Sequence, residues 1–145
     1  MRNIKFRVWD IERNFLATII TAIHFNIDEL PTCVEYCDDN SDMGCVVETG
    51  EGEFILLQYT GLKDKNGRDI YDGDVLDISS SYHSGKYLAV VEFRDPVSGV
   101  QLDTFKDDCK IGVLGKEWWG NQKCQHLYQV IGNIYENPEL LTDNK

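Results

Sequence analysis

The most constraining feature of this sequence is a pair of tight-turn signals that separate short apolar segments. Asp64-Lys65-Asn66-Gly67 contains Asn-Gly, the preferred pair for a type I′ hairpin turn, in which both central residues need positive φ. In Asp72-Gly73-Asp74 we expect the aspartates to accept backbone N–H bonds and the glycine to take positive φ. Turns of this kind predict short antiparallel strands.

The apolar segments have the β-branched and aromatic content of strands. We expect strands at 4–9, 15–20, 22–27, 32–36, 45–48, 54–59, 75–78, 87–93, 100–105, 111–114 and 127–134. A helix over 20–30 also fits the spacing of the apolar residues, but the β-branched content there favours a strand. Gly132 inside the last strand indicates a bulge or a barrel corner.

The length of 145 residues fits one domain, or one domain with an additional lobe. Five or six short strands with a turn about every ten residues predict a small barrel in the second half of the chain. We therefore expect a mainly β protein with three parts: an N-terminal β lobe with an acidic loop region over 1–53, a barrel domain over 54–141, and a tail over 142–145.

The charge is strongly negative and unevenly distributed. The formal net charge is −11, which argues against a general nucleic-acid binder, since such proteins carry a basic face. No Lys or Arg occurs between Asn14 and Leu62, a stretch that contains nine acidic residues. Two interpretations stay open: a solvated loop region, or an acidic surface at Asp38, Asp39 and Asp42 that meets a basic partner or imitates DNA.

The cysteine count of five is odd, and we find neither a signal peptide nor an apolar run of membrane-spanning length. These features predict reduced thiols and a cytoplasmic protein without a membrane segment.

Metal sites and nucleophilic catalysis find little support in the residue spacing. Zinc is one hypothesis, with Cys33, Cys37 and Cys45 near one another in sequence and Cys124 with His126 to complete the site, but there is no second short-spaced pair. The acidic stretch around the two turns departs from the calcium-binding EF-hand loop. No Gly-x-Ser-x-Gly elbow or cysteine signature is present. We expect no cofactor and no catalytic site.

Aromatic residues offer a candidate binding surface on the rim of the predicted barrel. Adjacent residues on a strand point to opposite faces, so one of Trp118 and Trp119 is expected outside, at an oligomer or partner contact. The other residues that we assign to this rim are Tyr71, Tyr82 and His83.

Three stretches together resemble the YopX family of phage and prophage proteins: residues 4–10, 57–75 and 130–141. The resemblance implies a β-rich protein whose C-terminal part is a barrel similar to the SH3 type, and an origin in a bacteriophage or prophage. It implies no activity and supplies no catalytic residues. The turn residues inside these stretches are consistent with a role in folding alone.

We therefore expect a non-enzymatic phage or prophage accessory protein that works by self-association or by contact with a phage or host protein. One alternative is a role linked to nucleic acid, for which Lys63, Lys65 and Arg68 near the hairpin form a local basic cluster. The other is an acidic DNA mimic that inhibits a host protein.

Overall fold

The computed structural model describes residues 4–28, 30–37, 45–48, 53–77, 88–95, 99–104 and 128–142. Within these ranges the chain is almost entirely β. The strands are β1 (Phe6–Asp10), β2 (Phe15–Ala17), β3 (Ile19–Phe25), β4 (Pro31–Cys37), β5 (Cys45–Glu48), β6 (Phe54–Lys63), β7 (Asp69–Tyr71), β8 (Asp74–Asp77), β9 (Leu88–Asp95), β10 (Gly99–Thr104) and β11 (Gln129–Asn133). A 3-10 helix follows at Pro138–Leu141.

The prediction of a mainly β protein is therefore confirmed. Residues 20–28 form a strand and the beginning of a turn, so the helical alternative for this region was wrong. The predicted strand at 111–114 lies outside the described residues. No helix in the described ranges is long and apolar enough to cross a membrane.

The chain divides into two compact units, Lys5–Gln58 and Met1–Ile4 with Tyr59–Lys145, which we call the N-terminal and C-terminal units. The division falls within β6, whereas the sequence placed a boundary before residue 54. The reason lies in the pairing of β6: residues 54–58 pair with β1, and Tyr59 and Lys63 pair with β7.

The N-terminal unit contains two sets of antiparallel pairs. β1 lies between β2 and the first half of β6, and β4 lies between β3 and β5. Its core has four fully buried side chains with partly buried apolar residues packed around them. The buried members are Val8, Ala17, Val34 and Tyr36, and the surrounding residues are Phe15, Ile20, Ile23, Phe54 and Leu56.

The C-terminal unit contains a four-stranded antiparallel sheet in the order β10-β9-β8-β11. Val75, Leu88 and Val90 form a buried cluster. The partly buried apolar residues packed against it are Ile131, Ile134, Leu140 and Leu141. The register of β11 against β8 shifts between Val130 and Gly132, so the bulge predicted at this glycine is confirmed.

The hairpin turn after β6 differs from the predicted type I′ turn. Gly67 has a φ of 81°, but Asn66 does not have positive φ; of the non-glycine residues described, Asn14 alone has one. Gly67 N donates to Asp64 O at 2.9 Å, and Asp64 N donates to Arg68 O at 2.8 Å. These bonds match a type I turn followed by a glycine bulge, with Asp first and Gly fourth. The prediction was wrong because the Asp64 side chain also accepts N–H groups inside the turn and so favours type I.

Candidate functional site

Of the five residues predicted to line a binding rim, the structure describes Tyr71. Its side chain is 7% exposed, and its ring centroid lies 5.5 Å from that of Tyr59. Tyr71 therefore belongs to the core of the C-terminal unit and does not fit a role on an accessible rim. Outside the described residues lie the other four positions, Tyr82, His83, Trp118 and Trp119, and the acidic candidates Asp38, Asp39 and Asp42.

The cysteine spacing that suggested zinc falls on a single strand. Cys33 and Cys37 are half-buried thiols on β4, four residues apart. A strand rises about 3.3 Å per residue, so their backbones are separated by about 13 Å. Two ligands of one zinc ion lie within about 5 Å of each other. This pair therefore does not share a zinc ion, and the ranges described contain no group of three potential metal ligands. Cys124 and His126 lie outside them.

A buried carboxylate fastens the turn after β6 to the last strand. Asp64 Oδ1 accepts the N–H groups of Asn66 at 2.8 Å and Arg68 at 2.9 Å. Asp64 Oδ2 accepts the N–H of Val130 at 3.1 Å, and the neighbouring Lys65 N donates to Tyr128 O at 2.9 Å. Every oxygen of this carboxylate has a backbone donor, so its role in this structure is to hold the turn against β11.

A second buried carboxylate fastens the Asp-Gly-Asp turn to the end of β11. Asp74 Oδ2 accepts the N–H of Tyr71 at 2.9 Å, which confirms the predicted turn bond at this residue. Asp74 Oδ1 accepts an N–H of the Asn133 side chain at 3.3 Å. Gly73 has the predicted positive φ, at 77°, and its carbonyl accepts the N–H of Ile134 at 2.9 Å. The second and third family-like stretches therefore meet through buried polar side chains.

The basic cluster near the turn is partly neutralised. Lys63 Nζ lies 2.5 Å from Asp69 Oδ1 and donates to Gly67 O at 3.2 Å. Lys65 and Arg68 are exposed. A nucleic-acid groove needs several cations aligned along a backbone, and the pairing of Lys63 with Asp69 weakens this cluster as such a surface.

The N-terminal unit contains a buried polar network at the end of β1. Tyr36 donates its hydroxyl to Asp10 Oδ2 at 2.7 Å, and Arg13 Nη1 donates to the Tyr36 hydroxyl at 3.2 Å. Burial, together with the hydrogen bond to Asp10, raises the pKa of Tyr36 to about 12. The tyrosine therefore stays protonated at neutral pH, and its ring stacks on Phe15 with centroids 6.0 Å apart. This arrangement stabilises the fold and presents no reactive group to solvent.

We use the name hairpin tip for the end of β3, the described part of the turn and the start of β4, residues 25–28, 30 and 31. Asn26 orders it, because its Oδ1 accepts the N–H of Asp28 at 3.0 Å and that of Leu30 at 2.8 Å. Asn26 N also donates to Leu30 O at 2.9 Å, which closes the loop. Asparagine is a common turn former because its side-chain carbonyl can replace a backbone acceptor in this way.

The hairpin tip carries a cluster of exposed apolar side chains. Ile27 is 97% exposed, Leu30 60% and Phe25 57%. Single exposed apolar residues are ordinary on protein surfaces, but three within six residues at one hairpin tip are a concentration of exposed apolar surface, and such surface marks contact sites. The hairpin tip is therefore the candidate functional site of the described structure.

Sequence reasoning missed this site. The alternation of Ile23, Phe25 and Ile27 predicts one strand face up to Ile27, but β3 ends at Phe25 and Ile27 stands on the turn. The available signal was Asn26 followed two residues later by Asp28, since both residue types form turns.

These features define a class of protein: a mainly β chain whose buried carboxylates hold turns in place and which, within the described residues, exposes apolar side chains at a hairpin tip. The model of the YopX protein family matches residues 5–142, nearly the whole chain. The chain belongs to the YopX family.

One solved structure shows the same fold. The crystal structure of protein EF1440 from Enterococcus faecalis matches with a TM-score of 0.62 and 23% sequence identity. The match covers 97% of this chain and 99% of that one. No curated protein matches the sequence.

Proposed function

We propose that this chain is a non-enzymatic accessory protein of a phage or prophage that acts by contacting protein through its hairpin tip. One observation carries the proposal: an ordered turn holds Ile27, Leu30 and Phe25 out in solvent. An apolar side chain gains free energy when a partner covers it, and an ordered turn loses little conformational entropy on binding.

We also propose a setting for this function, a phage or prophage in the cytoplasm of a bacterial host. Membership of the YopX family supports this setting, and the odd number of cysteines fits reduced thiols there. We also propose that the C-terminal part of the chain completes a barrel similar to the SH3 type.

Site-specific photo-cross-linking in a bacterial host that carries the corresponding phage or prophage tests the proposal. The full chain would carry p-benzoylphenylalanine in place of Ile27, and the matched control would carry it in place of Ile4, which is 72% exposed and outside the tip. We expect a discrete cross-linked species, containing either a second copy or another protein, from position 27 alone. Equal labelling at both positions, or none at position 27, would contradict a contact at the tip.

A further inference from the structure

The charge of the hairpin tip indicates which kind of partner surface would be complementary to it. Neither β3, β4 nor the turn between them contains a Lys or Arg, and the same is true of the whole stretch from Asn14 to Leu62. Asp28 is exposed on the tip itself. The basic side chain of this hairpin is His24, whose Nε2 lies 3.1 Å from Glu35 Oε1. The tip is therefore negatively charged at Asp28, and neither β3 nor β4 supplies a Lys or Arg to offset that charge.

The shape of the tip adds a second constraint. Ile27 is almost fully exposed and stands on the turn, with Phe25 and Leu30 before and after it in sequence. A side chain that projects in this way contacts few atoms on a flat surface, whereas a concave apolar site can surround it. The geometry therefore favours a partner with a pocket.

A second copy of this chain is a poor match for tip-to-tip contact. Such a contact would bring Asp28 of one copy near Asp28 of the other, and the hairpin has no Lys or Arg to offset the repulsion. Like charges across an interface oppose association and select against that partner.

From these observations, and resting on the proposed role of the hairpin tip, we propose that the tip inserts into an apolar pocket, rimmed by Lys and Arg, on a different protein. The apolar side chains of the tip supply the buried contact. The negative charge of Asp28, on a hairpin without Lys or Arg, steers the encounter and selects a basic rim, so association is faster at low ionic strength.

An amphipathic helical peptide of leucine and lysine, with an apolar stripe bordered by cations, is a defined probe for this chemistry. The full chain with ¹³C-labelled Ile and Leu methyl groups would be titrated with it and followed by NMR. The control peptide has glutamate in place of every lysine. We expect the Leu-Lys peptide to shift the methyl signals of Ile27 and Leu30 saturably, and the Leu-Glu peptide to leave them unchanged.

Variants locate the contact. Ile27→Ser removes the projecting side chain from a solvent-exposed position, so the fold should be retained, and we expect affinity for the Leu-Lys peptide to fall about tenfold. Ile4→Ser, the matched exposed isoleucine, should leave the affinity unchanged. The affinity of the unmodified chain should also fall when NaCl is raised from about 50 to 500 mM.

Three outcomes would overturn the inference. They are equal binding of both peptides, binding of the Leu-Lys peptide that Ile27→Ser leaves intact, and dimers in light scattering that Ile27→Ser abolishes. The first would show that the rim need not be basic, and the last that the occupant is a second copy. Either result is compatible with a cross-link at position 27, so the proposed function would stand while this inference fell.

Discussion

The carboxylate of Asp64 accepts the backbone N–H of Val130 at 3.1 Å, across 66 residues of sequence. The same side chain shapes its own turn through Asn66 and Arg68. One residue therefore fixes both a local turn and its docking on the last strand.

We predict that Asp64→Ala lowers the free energy of unfolding by at least about 2 kcal/mol, because it leaves three backbone N–H groups without their acceptor. Asp64→Asn should cost less, since its remaining carbonyl oxygen can still serve the turn. Urea unfolding measures both variants. Asp28→Ala, at an exposed aspartate, is the control and should stay within about 0.5 kcal/mol of the unmodified chain. A loss for Asp64→Ala no larger than the control's would contradict this role.

Gly67 and Gly73 form a matched pair, with φ of 81° and 77°. A Cβ at Gly67 would meet open space, but one at Gly73 would lie 3.2 Å from Tyr135 Cε2. We expect Gly67→Ala to cost about 1 kcal/mol through backbone strain alone. Gly73→Ala should cost about 1 kcal/mol more, because crowding adds to the same strain. The midpoints of denaturant unfolding of the two variants measure these losses of stability. Equal losses would show that the contact with Tyr135 is unimportant.

The raised pKa of Tyr36 predicts a loss of stability at high pH. An unfolded tyrosine ionises near pH 10, whereas Tyr36 in the folded chain ionises near 12. Its contribution is complete below pH 10 and disappears as pH rises from 10 to 12, an effect of about 3 kcal/mol. The measurement is the free energy of unfolding against pH, with Tyr36→Phe as the reference. The unmodified chain should lose more stability than the variant over this interval; parallel curves would exclude the effect.

Asn26 is predicted to order the hairpin tip with little effect on the rest of the fold. In Asn26→Ala the N–H groups of Asp28 and Leu30 lose their acceptor, so their hydrogen exchange should speed up. Asn26→Asp keeps an acceptor oxygen and should keep their protection. Exchange followed by NMR distinguishes the two variants. Unchanged protection in Asn26→Ala would mean that the backbone bond from Asn26 to Leu30 is sufficient.

Backbone features of the turns and strands were predictable at glycines, because a glycine at such a position usually has one structural role. Gly73 takes positive φ, and Gly132 lies at a register shift, as their sequence positions indicated. The turn at Asn66-Gly67 was predicted wrongly, because the type of turn depends on bonds from the side chain of Asp64, and one of those bonds reaches a strand far along the chain.

The properties of the candidate site were also predictable only in part from the sequence. The sequence revealed the missing cations between Asn14 and Leu62, because charge is a property of composition. It did not reveal that Ile27 is exposed, since an apolar residue in an alternating segment is equally consistent with a buried strand.

By itself, the sequence determined the β class, most strand positions and the acidic character of the first half of the chain. These depend on local periodicity and composition. Only the tertiary structure decided that Asp64 and Asp74 are buried and hold turns in place, that Tyr71 is in the core and that three apolar side chains of the hairpin tip are exposed. The reason is physical: burial is a property of what packs against a residue, and its neighbours in space come from distant parts of the chain.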